Sequence, residues 1–355
     1  MSYVILSINP GSTSTKIAVY EDQRELYCET IDHPDGDLTG FDAITDQFEY
    51  RKDLILKKLI EQGYELSKFA AVVGRGGMLP PVHAGGYLVN ETMKNKLTDG
   101  SLLPHASNLG ALIADAIAAP LHIPAYIYDS VASDELNDIA RITGVPEISR
   151  QSFTHVLNTK AMARKVAAKA GKRYEEMNFV VAHIGGGVSV NAHERGRIVD
   201  VITDDGGPFS PERAGSIPLS YIVEMCFSGK YDKKTLSKKL RGMGGLKAHL
   251  GTSDCREVEK RIADGDQKAK AVYEAMAYQI SKGIGEMSPV LKGDIDAIIL
   301  TGGVANSKML TSLIADRVKF IAPVEVVPGE NEMESLSYGA LRILNGEETA
   351  REYTE

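Results

Sequence analysis

Short apolar runs alternate with polar turns at the start of the chain. Residues 3–8 form one apolar run, residues 9–15 a turn of small and polar residues, and residues 17–20 a second apolar run. Short apolar runs bounded by turn residues are typical of β-strands. The pattern predicts a β-hairpin whose tip carries Gly11, several hydroxyl groups and Lys16. Such a tip suits phosphate, but an ordinary hairpin rich in Ser and Thr explains this segment equally well when it is taken alone.

The same order of elements recurs in the second half of the chain. Residues 178–184 predict a strand, residues 185–187 are three consecutive glycines, and residues 188–192 and 198–201 predict two more strands. Aligning Asn9 with His183 gives an offset of 183 − 9 = 174 residues, about half the chain. The repeat predicts a duplicated architecture that binds a nucleotide between its halves, and it leaves His183 as part of the second phosphate hairpin.

A third glycine pair follows another buried strand. Residues 296–301 are apolar apart from their ends, Gly302 and Gly303 come next, and residues 308–318 predict a helix. This order brings the backbone close to a flat ligand such as a nucleoside, and Asn306 lies in the connecting turn. Further on, Glu332 and Glu334 stand at the start of a last helix, where acidic residues also compensate the helix dipole.

Composition narrows the class of protein. The chain has 355 residues, which suggests two domains, and its formal net charge of −8 argues against a nucleic-acid-binding protein. The longest apolar stretch, residues 109–128, is interrupted by Asp115, Pro120 and Pro124, so we do not expect it to span a bilayer. The first residues lack the pattern of a signal peptide. Three distant cysteines favour neither a disulfide framework nor a zinc site. We therefore expect a cytoplasmic protein without a membrane or nucleic-acid partner.

Several separated motifs together resemble one family. Two stretches, INPGSTSTK (8–16) and GLKAHLGTSDCREVEKRIADGDQKAKAVYEAMAYQISKGIG (245–285), are similar to signatures of the acetokinase family. That family lies within the superfamily of acetate and sugar kinases, heat-shock chaperones and actin. VGRGGMLPP, YDSVASDEL and PFSPERAGSIP resemble the branch of that family that acts on butyrate. The resemblance implies an α/β fold of two related domains with actin-like ATPase (ribonuclease H-like) mixed sheets flanked by helices. It also implies an active site in the interdomain cleft.

The resemblance implies domains at residues 1–150 and 151–334, with residues 335–355 packing back on the first domain and the adenosine site in the second. It implies ATP or ADP and Mg²⁺ as cofactors, a small carboxylic acid and its acyl phosphate as substrates, and self-association to a homodimer or larger oligomer. The residues that match its nucleotide site are Asn9, Gly11, Ser12, Ser14, Lys16, Gly185, Gly186, Gly187, Gly302, Gly303 and Asn306.

The implied chemistry is phosphoryl transfer to a carboxylate. A carboxylate with a pKa of about 4.3 is already ionised at neutral pH, so cations and hydrogen-bond donors matter more than a general base. The resemblance assigns catalytic roles to Arg75, Arg213, His155 and Asp129. Asp129 with Glu334, or less favourably Glu332, is the expected Mg²⁺ site.

Positions near these residues bear on the length of the acid. Gly77, Pro104 and Thr154 stand where acetate kinases resemble one another in carrying larger or branched residues, and His105 matches a histidine beside the substrate. Each additional buried methylene stabilises binding by about 0.8 kcal/mol. We therefore expect butyrate or a branched short acid to be preferred over acetate.

Other functions remain open at this point. A kinase for acetate, propionate or a branched-chain acid has the same motifs, and a sugar kinase would need a general base and usually Asp in place of Asn9. A non-catalytic, actin-like nucleotide switch is the alternative from another class. Slow hydrolysis of ATP that does not depend on an acid would favour that switch.

Overall fold

The chain folds into two compact units. The computed structural model describes residues 2–354, apart from the side chain of Asp35. Residues 2–134 and 331–354 form unit 1, and Glu135–Glu330 form unit 2. The first division falls before residue 150, the boundary we expected, because Glu135 is paired with Lys160 at 2.7 Å and Arg150 with Asp200 at 2.9 Å, which ties this segment to unit 2.

Twelve strands run through residues 2–354. In chain order they are β1 Val4–Pro10, β2 Ser14–Glu21, β3 Arg24–Asp32, β4 Phe69–Arg75, β5 Gly86–Leu88, β6 Ala125–Tyr128, β7 Asn178–Ile184, β8 Val188–Glu194, β9 Arg197–Ile202, β10 Ala297–Thr301, β11 Val324–Val326 and β12 Arg351–Glu352.

Thirteen α-helices accompany the strands within the same residues. They are α1 Asp35–Leu38, α2 Phe48–Glu61, α3 Glu91–Thr98, α4 Asn108–Ala118, α5 Asp138–Arg141, α6 Val156–Lys169, α7 Leu219–Phe227, α8 Lys233–Leu240, α9 Gly245–Leu250, α10 Cys255–Ala263, α11 Gln267–Met287, α12 Lys308–Val318 and α13 Glu332–Leu344. Short 3₁₀ segments lie at Ile44–Gln47, Leu66–Lys68, Ala119–Leu121, Tyr174–Glu176, Pro289–Leu291 and Gly303–Asn306. None of the helices within residues 2–354 combines the length and apolar character that a bilayer span requires.

Unit 1 contains a seven-stranded mixed sheet. Its strand order is β12-β5-β6-β4-β1-β2-β3, with β1, β4 and β6 parallel and β2 antiparallel to both of its neighbours. The apolar side chains of one face, such as Leu6 and Ile17, pack with those of α2 and α4, including Ile55 and Leu109. On the other face, Met333 of α13 packs with the strands.

Unit 2 repeats the central part of this arrangement. Its five-stranded sheet has the order β11-β10-β7-β8-β9, in which β7, β8 and β9 form consecutive antiparallel pairs and β10 runs parallel to β7. The equivalent strands of unit 1 are β1, β2, β3 and β4, so the repeat predicted from the sequence is present. Buried residues of α11, among them Tyr273 and Ile280, pack with the apolar side chains of β7 and β8.

Candidate active site

The carboxyl ends of three parallel strands bring predicted site residues to one edge of the sheet in unit 1. Asn9 lies near the end of β1, Arg75 ends β4, and Asp129 directly follows β6. Because β6, β4 and β1 are consecutive in the sheet, these three positions are neighbours. Ligands of open α/β sheets bind beyond the carboxyl ends of such strands.

Arg75, Asn9 and Glu332 form a hydrogen-bonded triad. Arg75 Nη1 donates to Glu332 Oε1 at 2.8 Å and to Asn9 Oδ1 at 3.3 Å, and Asn9 Nδ2 donates to the second carboxylate oxygen of Glu332. Glu332 belongs to the first turn of α13, so the start of this helix lies against the ends of β1 and β4. The arrangement holds a guanidinium, an amide and a carboxylate in one polar cluster.

The backbone of Arg75 is held by a close approach between β4 and α4. A Cβ atom added to Gly74 would lie 2.2 Å from the carbonyl oxygen of Gly110, and one added to Gly110 would lie 2.3 Å from the carbonyl oxygen of Arg75. Only glycines permit this contact, because side-chain atoms would otherwise occupy the space. The glycine pair therefore sets the position from which the Arg75 side chain projects.

Asp129 is buried and has an uncommon backbone conformation. Its φ is +42°, in the left-handed region that non-glycine residues rarely adopt, and its side chain accepts a hydrogen bond from Gly85 N at 2.8 Å. Strained residues of this kind cluster at functional sites. The sequence predicts an active-centre role for Asp129, and the structure places it in a buried, constrained position.

The two acidic residues of α13 lie in different surroundings. Glu332 contacts Arg75 and Asn9, as described above, whereas Glu334 lies beside Tyr338 and Tyr20. Burial and then the charge of Glu334 raise the pKa of Tyr338 to about 12. We expected Glu334 rather than Glu332 to serve a metal ion, but Glu332 is the residue that shares a cluster with Asn9 and Arg75.

His105 lies close enough to Arg75 to respond to its charge. Desolvation and then the Arg75 guanidinium lower the pKa of His105. The backbone N–H of Ser107 donates to His105 Nδ1 at 3.2 Å, so the neutral ring carries its proton on Nε2. His105 is therefore a neutral donor beside Arg75.

The turn of the first hairpin is closed by its own backbone. Gly11 N donates to Ser14 O at 2.7 Å, and the residues between them, including Ser12, are exposed. Lys16 is exposed and pairs with Asn9 across the hairpin, so the two side chains lie on the same face of the sheet. Exposed amides, hydroxyls and a lysine on this face are suited to phosphate.

The structure corrects one reason that we gave for a large acyl pocket. A Cβ atom at Gly77 would lie 2.6 Å from Asn108 Oδ1 and 2.9 Å from Leu97 Cδ2, so the space beside Gly77 is filled. Pro104 is exposed, while Thr154 is buried in unit 2 and donates to Asn191 Oδ1 at 2.6 Å. The small residue at position 77 therefore permits packing against the start of α4 and leaves no opening there.

The glycine turn of unit 2 is held by a neighbouring loop. Gly185 N donates to Gly187 O at 2.9 Å, and the carbonyl oxygen of Gly186 accepts from Ser210 Oγ at 2.6 Å and from Glu212 N at 3.1 Å. The turn thus has both an internal hydrogen bond and external support. Gly185 is buried and its amide is used within the turn, whereas Gly186 and Gly187 are not buried and have no side chains, which leaves their backbone open to a ligand.

Two histidines stack beside this turn. The rings of His155 and His183 are 3.9 Å apart and inclined by 9°, and His155 Nδ1 lies 2.9 Å from Ser189 Oγ. The amide nitrogen of Asn158 donates to two carbonyl oxygens, so its oxygen faces His183 Nδ1 at 2.8 Å and accepts that proton. His183, which we had left as part of the hairpin, therefore supports the ring of His155.

Arg213 is fixed through its side chain and its loop. Its Nε donates to Asp204 Oδ2 at 3.2 Å, and Asp204 also accepts from Arg241. The loop is pinned at Gly245, whose φ is +59° and whose added Cβ would lie 1.7 Å from Ser210 O. Asp204 is a supporting residue that the sequence motifs did not point out.

The third glycine pair borders a large cavity in unit 2. Gly302 has a φ of +91°, and an added Cβ would lie 2.4 Å from Ile184 O, so this turn packs on the end of β7. Gly303 and Asn306 line an open cavity of about 950 Å³. Cavities of this size hold nucleotides and other small ligands.

The same cavity is also lined by Ser253, Asp254 and residues of α10, to which sequence reasoning assigned no role. Asp254 accepts from Arg256 N as the N-cap of α10, and Arg256 pairs with it at 2.7 Å. The hydrogen bonds from Arg256 hold the pKa of Asp254 at about 2. Glu259 accepts from Tyr273 at 2.6 Å and from Ser307. The sequence signal that could have indicated this region is that Asp254 lies within the long stretch that resembles the family signature.

Comparison with known proteins shows a family and a fold. The model of the acetokinase family matches residues 148–349. Probable butyrate kinase 2 of Caldanaerobacter subterraneus subsp. tengcongensis is 51% identical over 352 residues, covering 99% of both chains. Butyrate kinase 2 of Clostridium acetobutylicum is 48% identical over 355 residues, covering 99% of this chain and all of that protein. The crystal structure of Porphyromonas gingivalis acetate kinase superposes with a TM-score of 0.78 at 18% identity, covering 96% of this chain and 99% of that one.

Proposed function

This chain belongs to the acetokinase family, and we propose that it transfers the γ-phosphoryl group of ATP to the carboxylate of butyrate. The products are butanoyl phosphate and ADP, and the reaction is reversible. One observation carries this conclusion: identity of 48% or more extends over the whole chain to proteins named butyrate kinases. The fold, with its actin-like ATPase architecture, is the one that acetate kinases have.

The carboxylate of butyrate is the nucleophile and is ionised at neutral pH, so the protein has no proton to remove. The obstacle is repulsion between this anion and the phosphates. We assign Arg75 and Arg213 to offset this repulsion, since each is a permanent cation held by a carboxylate, Glu332 or Asp204. Holding both substrates in line supplies the rest of the rate enhancement.

His155 is assigned to donate to the transferring phosphoryl group. Its ring is fixed by Ser189 and by stacking on His183. A pre-oriented donor stabilises charge in the transition state without reorganisation. The nucleotide is assigned to the glycine turns and to the cavity beside Gly303, with the adenosine in that cavity.

We assign a magnesium ion to carboxylates of unit 1. Within residues 2–354 no group of three or more acidic, histidine or cysteine side chains could hold a metal ion. Mg²⁺ is usually bound by one or two carboxylates together with substrate phosphates, and we assign Asp129 with Glu334 or Glu332 to that role. When bound, the ion would neutralise phosphate charge.

We also assign self-association to this protein. Helix α7 has no buried residue, and its Leu219 and Phe227 are 82% and 87% exposed. Exposed apolar helices of this kind are typical of contact surfaces between subunits. Sedimentation equilibrium tests this: the wild type should be oligomeric and Phe227→Asp should dissociate. A monomeric wild type would contradict self-association.

The function is tested by measuring acid-dependent formation of ADP with purified enzyme. The value of kcat/KM should be highest for butyrate in a series of acetate, propionate, butyrate, isobutyrate and valerate. An Arg75→Ala variant purified in parallel reports the activity of contaminating host kinases, and its acid-dependent ADP formation should be lower than that of the wild type by orders of magnitude. A higher kcat/KM for acetate would assign the enzyme to that acid, and ATP hydrolysis independent of any acid would contradict the proposal.

A further inference from the structure

A fully buried arginine lies behind the first hairpin turn. Arg51, in the first turns of α2, has no exposed surface. Arginine is almost never fully buried unless its charge is paired. Its surroundings therefore need an explanation.

The guanidinium of Arg51 is bound to the backbone of the turn. Its Nη1 and Nη2 donate to four oxygen atoms of residues 11–15, and its Nε and Nη2 donate to one side chain of the preceding 3₁₀ segment. The acceptors are Gly11 O at 2.8 Å, Ser14 O at 3.1 Å, Thr15 Oγ1 at 3.0 Å, Ser12 O at 3.1 Å and Gln47 Oε1 at 3.1 and 2.8 Å.

These contacts set the direction of the turn's amides. In a trans peptide the C=O and the following N–H point in opposite directions. Because the carbonyl groups of Gly11 and Ser12 point at Arg51, the amides of Ser12 and Thr13 point away from it. The exposed surface of the turn therefore presents donors, as a phosphate requires.

The charge of Arg51 is not cancelled by a carboxylate in the part of the chain that the structure describes. All of its acceptors are neutral carbonyl, amide or hydroxyl oxygens. His33, which lies 2.8 Å from Thr15 Oγ1, adds no charge at neutral pH, since desolvation and then the charge of Arg51 lower the pKa of His33 to about 4. Arginine stays protonated in proteins, so a permanent positive charge remains behind the turn.

We propose that Arg51 is a positioning residue for the phosphates of ATP: it holds the amides of the first turn outward and supplies an uncancelled charge behind them. The inference rests on the proposed function to the extent that this turn is taken to bind phosphate. Arg51 touches no substrate and acts through the backbone of residues 11–14. A charge in this place favours anionic phosphoryl oxygens over neutral ligands.

Two substitutions separate geometry from charge. Arg51→Lys keeps the charge but cannot donate in a fork, so the turn loses most of its support. Gln47→Glu keeps an acceptor in the same place and pairs the guanidinium with a carboxylate. Ile55→Val is the matched control, because Ile55 is fully buried in the same helix and packs in the apolar core.

The readouts are the dissociation constants of Mg-ATP and adenosine by calorimetry, followed by kcat and the KM values of ATP and butyrate. Arg51→Lys and Gln47→Glu should each weaken ATP binding about tenfold, while adenosine binding and the KM of butyrate should stay within about twofold. Ile55→Val should lower only the melting temperature. Equal losses for ATP and adenosine, or unchanged ATP binding in folded Arg51→Lys, would overturn the positioning role.

Unchanged ATP binding in Gln47→Glu would overturn the role of the charge. If Arg51→Lys fails to fold, Gln47→Glu still tests the proposal, because it preserves the side-chain volume. The binding measurements need no acid, so they stay informative if the wild type binds ATP but does not phosphorylate butyrate. In that case the proposed function fails, but the role of Arg51 is still tested by comparing how much each substitution weakens the binding of ATP and of adenosine.

Discussion

Replacing Gly110 by alanine should damage both stability and turnover, although alanine is the better helix former. Gly110 is the third residue of α4, in its first turn, where alanine is favoured over glycine by at most about 1 kcal/mol. Against this, the new Cβ would lie 2.3 Å from Arg75 O and 3.0 Å from Arg75 N. Ordinary contacts begin at 3.4 Å, so α4 and β4 must separate by about 1 Å.

The steric cost should exceed the gain in helix propensity. Overpacking of a buried contact costs about 1–3 kcal/mol, and backbone atoms on one side leave little room to yield. After the gain is subtracted, a net loss of about 1 kcal/mol would lower the melting temperature by about 2–4 °C in a domain of this size. Because the displaced backbone is that of Arg75, we expect kcat to fall about 100-fold.

The matched control is Gly285→Ala in α11, where an added Cβ meets no atom within 4 Å. This variant should gain about 0.5–1 kcal/mol in stability and keep its activity. Melting by circular dichroism and acid-dependent ADP formation measure both effects. If Gly110→Ala were as stable and active as Gly285→Ala, the close approach of α4 to β4 would not position Arg75.

Four further predictions concern residues of the two units. Arg75→Ala should lower kcat by orders of magnitude with ATP affinity nearly unchanged, as calorimetric titration with ATP checks, and near-normal turnover would contradict a catalytic role of Arg75. Glu332→Gln removes a carboxylate from the proposed Mg²⁺ site and should raise the Mg²⁺ concentration needed for half-maximal activity, which a Mg²⁺ titration checks. Since the pKa of His33 is lowered in the folded state, the folded protein binds fewer protons, and its stability should fall as the pH decreases from about 6.5 toward about 4. In His33→Gln, the free energy of unfolding measured in urea should depend less on pH in this range. The same pH dependence as in the wild type would contradict this role of His33. Gly302→Ala should lose nucleotide binding and stability because Gly302 has a φ of +91°. Gly303→Ala should fold normally, because its added Cβ meets no atom within 4 Å. Equal melting temperatures of the two variants would contradict this prediction.

Local patterns were sufficient for the elements that carry the site. The helix predicted over residues 308–318 is α12, Lys308–Val318, and the predicted hairpins are β1–β2 and β7–β8. Short apolar runs ended by glycine or by polar residues leave few other conformations, which is why these elements follow from the sequence. The longer motifs indicated membership of the acetokinase family, and the comparisons confirm it.

Contacts between distant parts of the chain were not predictable in this way. The pairing of Arg75 with Glu332 joins residues that are 257 positions apart, and no local pattern distinguishes Glu332 from Glu334. Likewise, Gly77 was interpreted as open space, although Asn108 fills that space. The identity of the atoms around a glycine depends on which helix packs on it, and that is settled by tertiary packing.

The sequence by itself determined the strands, the glycine turns, the repeated architecture and the family, because these depend on residue periodicity, on backbone freedom and on motifs that are contiguous in the chain. Only the tertiary structure decided which side chains support them: Arg51 behind the first turn, Glu332 beside Arg75, and Asp204 beside Arg213. The physical reason is that a buried polar group must find partners wherever the fold brings them, and their separation along the chain has no fixed period.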